Sequence, residues 1–339
     1  MGKDRENKAK KEADTVGGQA VLEGVMMKTK ESVAIAVRRE SGEIVKKTKP
    51  FSSKKDKHKI LNIPVVRGFV NFIEMMAMAM STLNESADML GLADTGEQKK
   101  EGEKKKESPN LVLIASIIGT VLGLALSFGL FFFLPTFIGK QITELTGAEK
   151  GGWFISLVEM VTRVAIFILY ILLVGLLKDI RRTFQYHGAE HMCVFCHEAK
   201  DELTVENAKK YSRFHPRCGT SFMIVMMIVG FLVGIAIPDF TSEYFGFSSA
   251  AAFWLRLAAK LSVFPFIIGI GYEFIKYAGK HDSAIVKILS APGLAIQRLT
   301  TKKPDDLQLE VAVVSLRAAL KLDPIEKTEE NQENQKNAE

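Results

Sequence analysis

Three cysteines in 339 residues are too few for a disulfide framework, and they fit a reducing compartment. A secretory signal is also lacking, because Met1 to Lys11 is densely charged and no apolar core follows it directly. The formal net charge of +6 is spread too thinly to argue for nucleic acid, which leaves a mild attraction to anionic lipid headgroups. There is no internal repeat. What the chain does have is apolar sequence: hydrophobic residues make up 47% of it, gathered into runs that alternate with charged stretches where a soluble domain would disperse them.

Leu111 to Pro135 carries no charge and is long enough to cross roughly 30 Å of hydrocarbon as a helix. Trp153 to Leu177 is a second candidate, with Trp153 suited to one interface, Lys178, Arg181 and Arg182 to the other, and Glu159 and Arg163 as its costly residues. Phe222 to Pro238 is a third. Ala251 to Tyr272 is a fourth, its lipid-buried part pushed toward the second half by Arg256 and Lys260. The expected fold is a mainly α membrane protein, with about four transmembrane helices and a cytoplasmic α+β portion that includes an N-terminal β-hairpin. Lysines cluster before the first span and over Lys178 to Ser221, whereas the loop from Asp239 to Ala250 has no basic residue. The positive-inside rule then puts both termini and the 178–221 segment in the cytoplasm.

The expected organisation is a disordered basic tail (1–16), a hairpin plus amphipathic helix (17–93), a charged linker (94–108), two spans (109–178) and an inter-span segment with the His and Cys motifs (179–221). Two further spans (222–275), C-terminal helices (276–322) and a disordered tail (323–339) complete it. Val33, Ile35 and Val37 alternate along one face and Gly42 leads into Glu43–Lys49, which reads as the hairpin. Before it, glycines surround the isolated Glu23 in a flexible loop. A helix is expected from Asn62, with Pro64 in its first turn and Val66, Phe69, Val70, Ile73, Met76 and Met80 at helical spacing, lying in the membrane interface or packed on the bundle. Two short helices around Ser290–Gly293 and an amphipathic helix from about Asp305 to Leu322 close the ordered part.

Four of the six histidines and all three cysteines lie between His187 and Ser221. Residues four apart share a helix face, so His187 and His191 offer two imidazole nitrogens to one metal with Glu190 beside them. This is the inverted zincin spacing H-x-x-E-H, although two such histidines equally cap a helix or bond backbone carbonyls. A catalytic zinc takes three protein ligands and leaves one position open. Glu273, His215 and Cys218 compete for the third place. Glu190 is the candidate base, or Glu23 if its loop folds onto the histidines. Cys193-Val-Phe-Cys196-His197 spells the haem-attachment motif, but on the inner face, where its cysteines either join a zinc site of mixed Cys and His ligands or pack as small apolar side chains. His215-Pro-Arg-Cys-Gly-Thr-Ser221 stands before the third span, where Arg217, Thr220 and Ser221 either hold an anion such as a lipid phosphate or simply cap the helix. A Cys-His dyad from Cys218 is a further option.

Taken together, Gly17-Gly-Gln-Ala-Val-Leu-Glu-Gly-Val-Met-Met27, Arg67-Gly68, Tyr186-His-Gly-Ala-Glu-His191 and His215-Pro-Arg-Cys-Gly-Thr-Ser-Phe222 resemble the YqhQ family of bacterial membrane proteins. The resemblance spans about Gly17 to Leu322. It implies a bacterial plasma-membrane, multi-pass protein of a family labelled a predicted metal-dependent enzyme, with the metal at His187, Glu190 and His191 and with His215 and Cys218 in the second motif. The expectation is a hydrolase using a divalent metal, zinc foremost, on a lipid-linked or amphipathic substrate beside the bilayer, with Arg217 or Arg67 steadying negative charge. Its rival is a non-enzymatic scaffold, transporter accessory or lipid-headgroup-binding protein.

Overall fold

Both halves of the glycine-rich start are strand. In the computed structural model, which describes residues 16–54, 58–92, 109–146, 152–216, 218–236, 249–278 and 283–322, β1 (Gly17–Val21), β2 (Gly24–Lys28), β3 (Ser32–Arg38) and β4 (Ile44–Pro50) form one antiparallel sheet in the order β1-β2-β3-β4. The hairpin expected from Val33, Ile35 and Val37 is thus half of a larger sheet. Val21 pairs with Gly24, closing a two-residue turn on Leu22 and Glu23, with Glu23 in the left-handed region at φ 46°. Gly24 admits no side chain, since a Cβ there would meet Ala36 O at 2.1 Å.

Side chains alternate across the sheet and both faces are covered. Val21, Met26, Val33, Ile35 and Val37 pack with Met78 and Met89 of α1 (Val66–Met89). Val25, Met27, Ala34 and Ala36 face Ala189, Met192 and Cys193 of α5 (Lys178–Glu198) and Leu309, Val311, Ala312 and Leu316 of α10 (Asp306–Ala319). Ser315 ties α10 to the sheet, its hydroxyl shared between Val25 O at 2.9 Å and Ala34 O at 3.1 Å. Asp305 and Gln308 form a capping box that starts α10 one residue after the expected position.

Helix α1 begins later than the sequence suggests. A 3₁₀ turn covers Lys59–Asn62, then Ile63 is extended (φ −67°, ψ 139°), as a residue before proline prefers, and Val65 turns to φ 69° before the helix starts. Pro64 therefore precedes the helix and does not occupy its first turn.

The apolar runs are helical. They form α2 (Pro109–Phe128), which continues through a π turn at Gly129–Phe133 into α3 (Leu134–Thr146), then α4 (Gly152–Val174), α7 (Gly219–Ala236) and α8 (Ser249–Ala278). Among the described residues, three stretches are long and apolar enough to cross a membrane: Ile118–Ile142, Trp153–Val174 and Leu257–Ala278. The third expected span is also an apolar helix, but its stretch Gly219–Ile235 is shorter. It packs against α4, α8 and α9 (Ala284–Thr300). Helix α9 runs unbroken through Pro292, where two short helices are expected from sequence. It seats closely on the start of α7, where a Cβ on Gly293 would stand only 2.6 Å from Ser221 Cα. A short α6 (Val205–Ala208) lies between α5 and α7. The linker over 94–108, the expected tails apart from Val16, and Arg217 lie outside the described residues.

Candidate metal centre

Helix α5 starts after the break at Gly175–Leu177 and is buried along its second half, where Tyr186, Gly188, Ala189, Glu190, His191, Met192, Cys193, Val194 and Cys196 meet the sheet and α10. The His187-Gly-Ala-Glu-His191 segment lies at the entry to this buried half. Two close approaches fix it. A Cβ on Gly188 would stand 2.2 Å from Lys302 O, so the strand of chain linking α9 to α10 crosses α5 directly over that glycine. A Cβ on Gly18 would stand 2.8 Å from Glu190 Cγ, so β1 is glycine where the carboxylate side chain needs room. Gly188→Ala is therefore expected to displace the crossing segment and lower stability by about 1–3 kcal/mol, read as a lower melting temperature in detergent.

Both histidines are oriented through Nδ1. His187 Nδ1 lies 2.9 Å from Thr300 O and His191 Nδ1 lies 2.5 Å from Arg213 O. A carbonyl only accepts, so Nδ1 is the donor in each ring, the outer bonding found for metal-ligating histidines, and Nε2 is left to face Cys218 in His187 and Glu190 in His191. Cys218 Sγ is 3.3 Å from His187 Nε2, and Thr220 Oγ1 donates to the same sulfur at 3.3 Å. The nitrogen, nitrogen and sulfur donors of His187, His191 and Cys218 all lie within 4.8 Å of one another. Tetrahedral zinc with bonds of about 2.0 to 2.3 Å holds its ligand atoms roughly 3.3 to 3.8 Å apart, so the widest spacing in the set would draw in by about 1 Å around an ion. Glu190 Oε2 is 3.4 Å from His191 Nε2 and is 5% exposed with its residue. Two imidazoles, a thiol and a carboxylate gathered in one partly buried place suit a divalent cation.

The other expected residues are not in this group of donors. Glu273 is paired with Arg67, which donates from Nε at 2.6 Å and from Nη2, so the carboxylate and the guanidinium occupy each other away from the histidines. The hydrogen bond to Glu273 holds the Arg67 guanidinium above its usual range despite burial. Glu23 is taken by Arg182, through bonds of 2.6 and 2.5 Å, and by Tyr186 Oη at 3.3 Å. It latches the β1–β2 turn to the exposed half of α5. Burial and the Glu23 charge push the Tyr186 hydroxyl up, so it stays protonated and donates. His215 is 5% exposed, its ring centroid 5.7 Å from that of His191 and 4.4 Å from that of Phe195, and its Nε2 is 3.5 Å from Glu198 Oε1. Burial lowers its pKa, against the opposing field of Glu190, which keeps it neutral beside the cluster. The thiols of Cys193 and Cys196 are raised by burial and remain protonated packing groups.

Gln297 is the participant that sequence reading misses. Fully buried on α9, it accepts from His215 N at 2.8 Å, donates to His215 O at 2.8 Å and to Ser221 Oγ at 3.2 Å, clamping the loop that carries Cys218. The available signal was its position on the stripe Val286, Ser290, Gly293, Gln297 and Thr300, whose i, i+3/i+4 spacing gives a buried helix face with polar members.

These features define a mostly helical protein with apolar helices compatible with a bilayer, a small antiparallel sheet and an internal His-His-Cys cluster. The chain belongs to the DUF1385 family, described as a protein of unknown function, whose model matches residues 63–322. It is 34% identical over 321 residues, covering 93% of this chain and 95% of the relative, to "Uncharacterized protein YqhQ" of Bacillus subtilis (strain 168). The resemblance to the YqhQ family is thereby shown. No solved structure matches.

Proposed function

We propose that the protein is a metal-dependent hydrolase seated at the cytoplasmic face of the bacterial inner membrane, with both termini inside and α7 serving as a fourth, short span. The observation that carries this reading is the convergence of His187, His191 and Cys218, with the two imidazoles turned inward by backbone carbonyls. A zinc held by these residues supplies Lewis acidity and a nucleophile at neutral pH. Glu190 is placed to take a proton at Oε2 and return it to a leaving group. Thr220 holds the Cys218 sulfur, and Gln297 keeps the loop rigid, so the donors are set before substrate arrives. The neighbouring apolar helices favour a substrate with a lipid or amphipathic part.

The test is a panel of carboxylic and phosphoric esters with acyl chains, assayed on zinc-loaded protein in vesicles. Hydrolysis is expected to stop with a chelator and to fall by at least about 10²-fold in Glu190→Gln, the usual scale for a lost general base, while zinc content is kept. Equal hydrolysis in Glu190→Gln rejects the assigned role. Turnover that survives zinc removal and is lost only in Cys218→Ala points to a Cys-His nucleophile, which the 3.3 Å contact with His187 favours as the second reading.

A further inference from the structure

One apolar face of α1 is left largely open among the described residues. Val66, Ile73, Met76, Met80 and Leu83 are between 40% and 59% exposed, and their spacing of seven, three, four and three places them on one stripe. Ile60 and Ile63, just before the helix, extend it at 75% and 51% exposed. The opposite face is spoken for, since Thr82, Glu85 and Ser86 are buried and Met78 and Met89 pack under the sheet. A contiguous apolar strip of this length is unusual on a water-facing helix and marks an interaction surface.

Two observations identify what covers it. The start of α1 is fixed to a membrane-type helix: a Cβ on Gly68 would stand 2.9 Å from Gly269 Cα, and Arg67 bonds Glu273, both partners lying in the apolar stretch Leu257–Ala278. The stripe therefore begins beside a helix that runs in lipid and continues from it. Toward the other end the exposed residues change character, with Ser81, Asn84 and Asp88 taking over from Met76 and Met80. The apolar strip fades with distance from the anchor at α8.

We infer that α1 and the Lys59–Asn62 turn form a lipid-seated helix, its stripe sunk into the headgroup–acyl boundary of one bilayer face and its other side carrying the β-sheet. The sheet, and with it the strand that makes room for Glu190, rides on a helix held by lipid. This holds whether or not the cluster at His187 binds a metal.

Site-directed nitroxides test it in the full chain, reconstituted in phosphatidylcholine–phosphatidylglycerol vesicles, with Cys193, Cys196 and Cys218 replaced by alanine and folding verified by circular dichroism. Labels go singly at Ile60, Ile73, Met76 and Met80, and at Asn84 and Asp88 as references, and collisions with oxygen and with a water-soluble nickel chelate are compared. The first four are expected to favour oxygen and the two references nickel. Nickel access at all four would overturn the proposal by showing a face in water. Exclusion of both reagents with spin–spin broadening would overturn it in favour of a second copy of the chain.

Discussion

Replacing His187 and His191 together by alanine is expected to take bound metal from about one ion per chain to none, measured by mass spectrometry on detergent-purified protein of matched folding. The expectation rests on geometry, because one ring nitrogen from each histidine and Cys218 Sγ are the donors that the fold brings together. Each Nδ1 is committed to a carbonyl, so neither ring can turn away without losing a bond. Cys218→Ala is expected to weaken zinc by more than the roughly 10–100-fold that follows loss of an outer-shell partner, since it removes a ligand itself. Occupancy should fall on acidification, because protons compete for the imidazole nitrogens and the thiol. Glu273→Gln is the control with the opposite outcome: its carboxylate is held by Arg67, so metal content should not change. A folded native protein that takes up no zinc after supplementation would end the metal reading, as would undiminished zinc in the double variant.

How far the sequence carries this result differs from residue to residue. His187 and His191 are legible because helical spacing alone puts them on one face. Choosing Cys218 over Glu273 is not a local matter. It depends on Gln297 reaching His215 across 82 positions and on Arg67 claiming Glu273 across 206, pairings no window of sequence contains. Glu23 illustrates a related blindness: Gly17-Gly-Gln-Ala lacks the β-branched residues that advertise a strand. Gly18 has no room for a side chain between Met26 O and Glu190 Cγ, so a packing demand hides the strand that leads into the Glu23 turn. The apolar helices were plain from composition, because an uncharged run long enough to cross a bilayer reads as helix without any tertiary information.

Glu159→Gln is expected to be the most damaging single change among the spans. Glu159 is 2% exposed on α4 and is bonded through both carboxylate oxygens by Lys260 of α8, while Arg163 Nη2 lies 3.4 Å away. Arg163 in turn donates from Nε to Phe131 O at 3.0 Å, a carbonyl of the π turn between α2 and α3. One carboxylate thus ties three apolar helices together through two cations. Neutralising it takes away the carboxylate that both cations share, and breaking a buried pair from one side costs about 3–5 kcal/mol. The expected result is a large fall in unfolding midpoint in detergent. Removing Lys260 as well, in Glu159→Gln/Lys260→Met, should recover much of that loss, because the stranded charge goes with it; the double-mutant cycle then gives a coupling of the size that neighbouring charges show, about 0.5–3 kcal/mol. If Glu159→Gln unfolds within about 0.5 kcal/mol of the native chain, as an ordinary surface change does, the carboxylate does not join the helices. The π turn would then need another reason for presenting Phe131 O to Arg163.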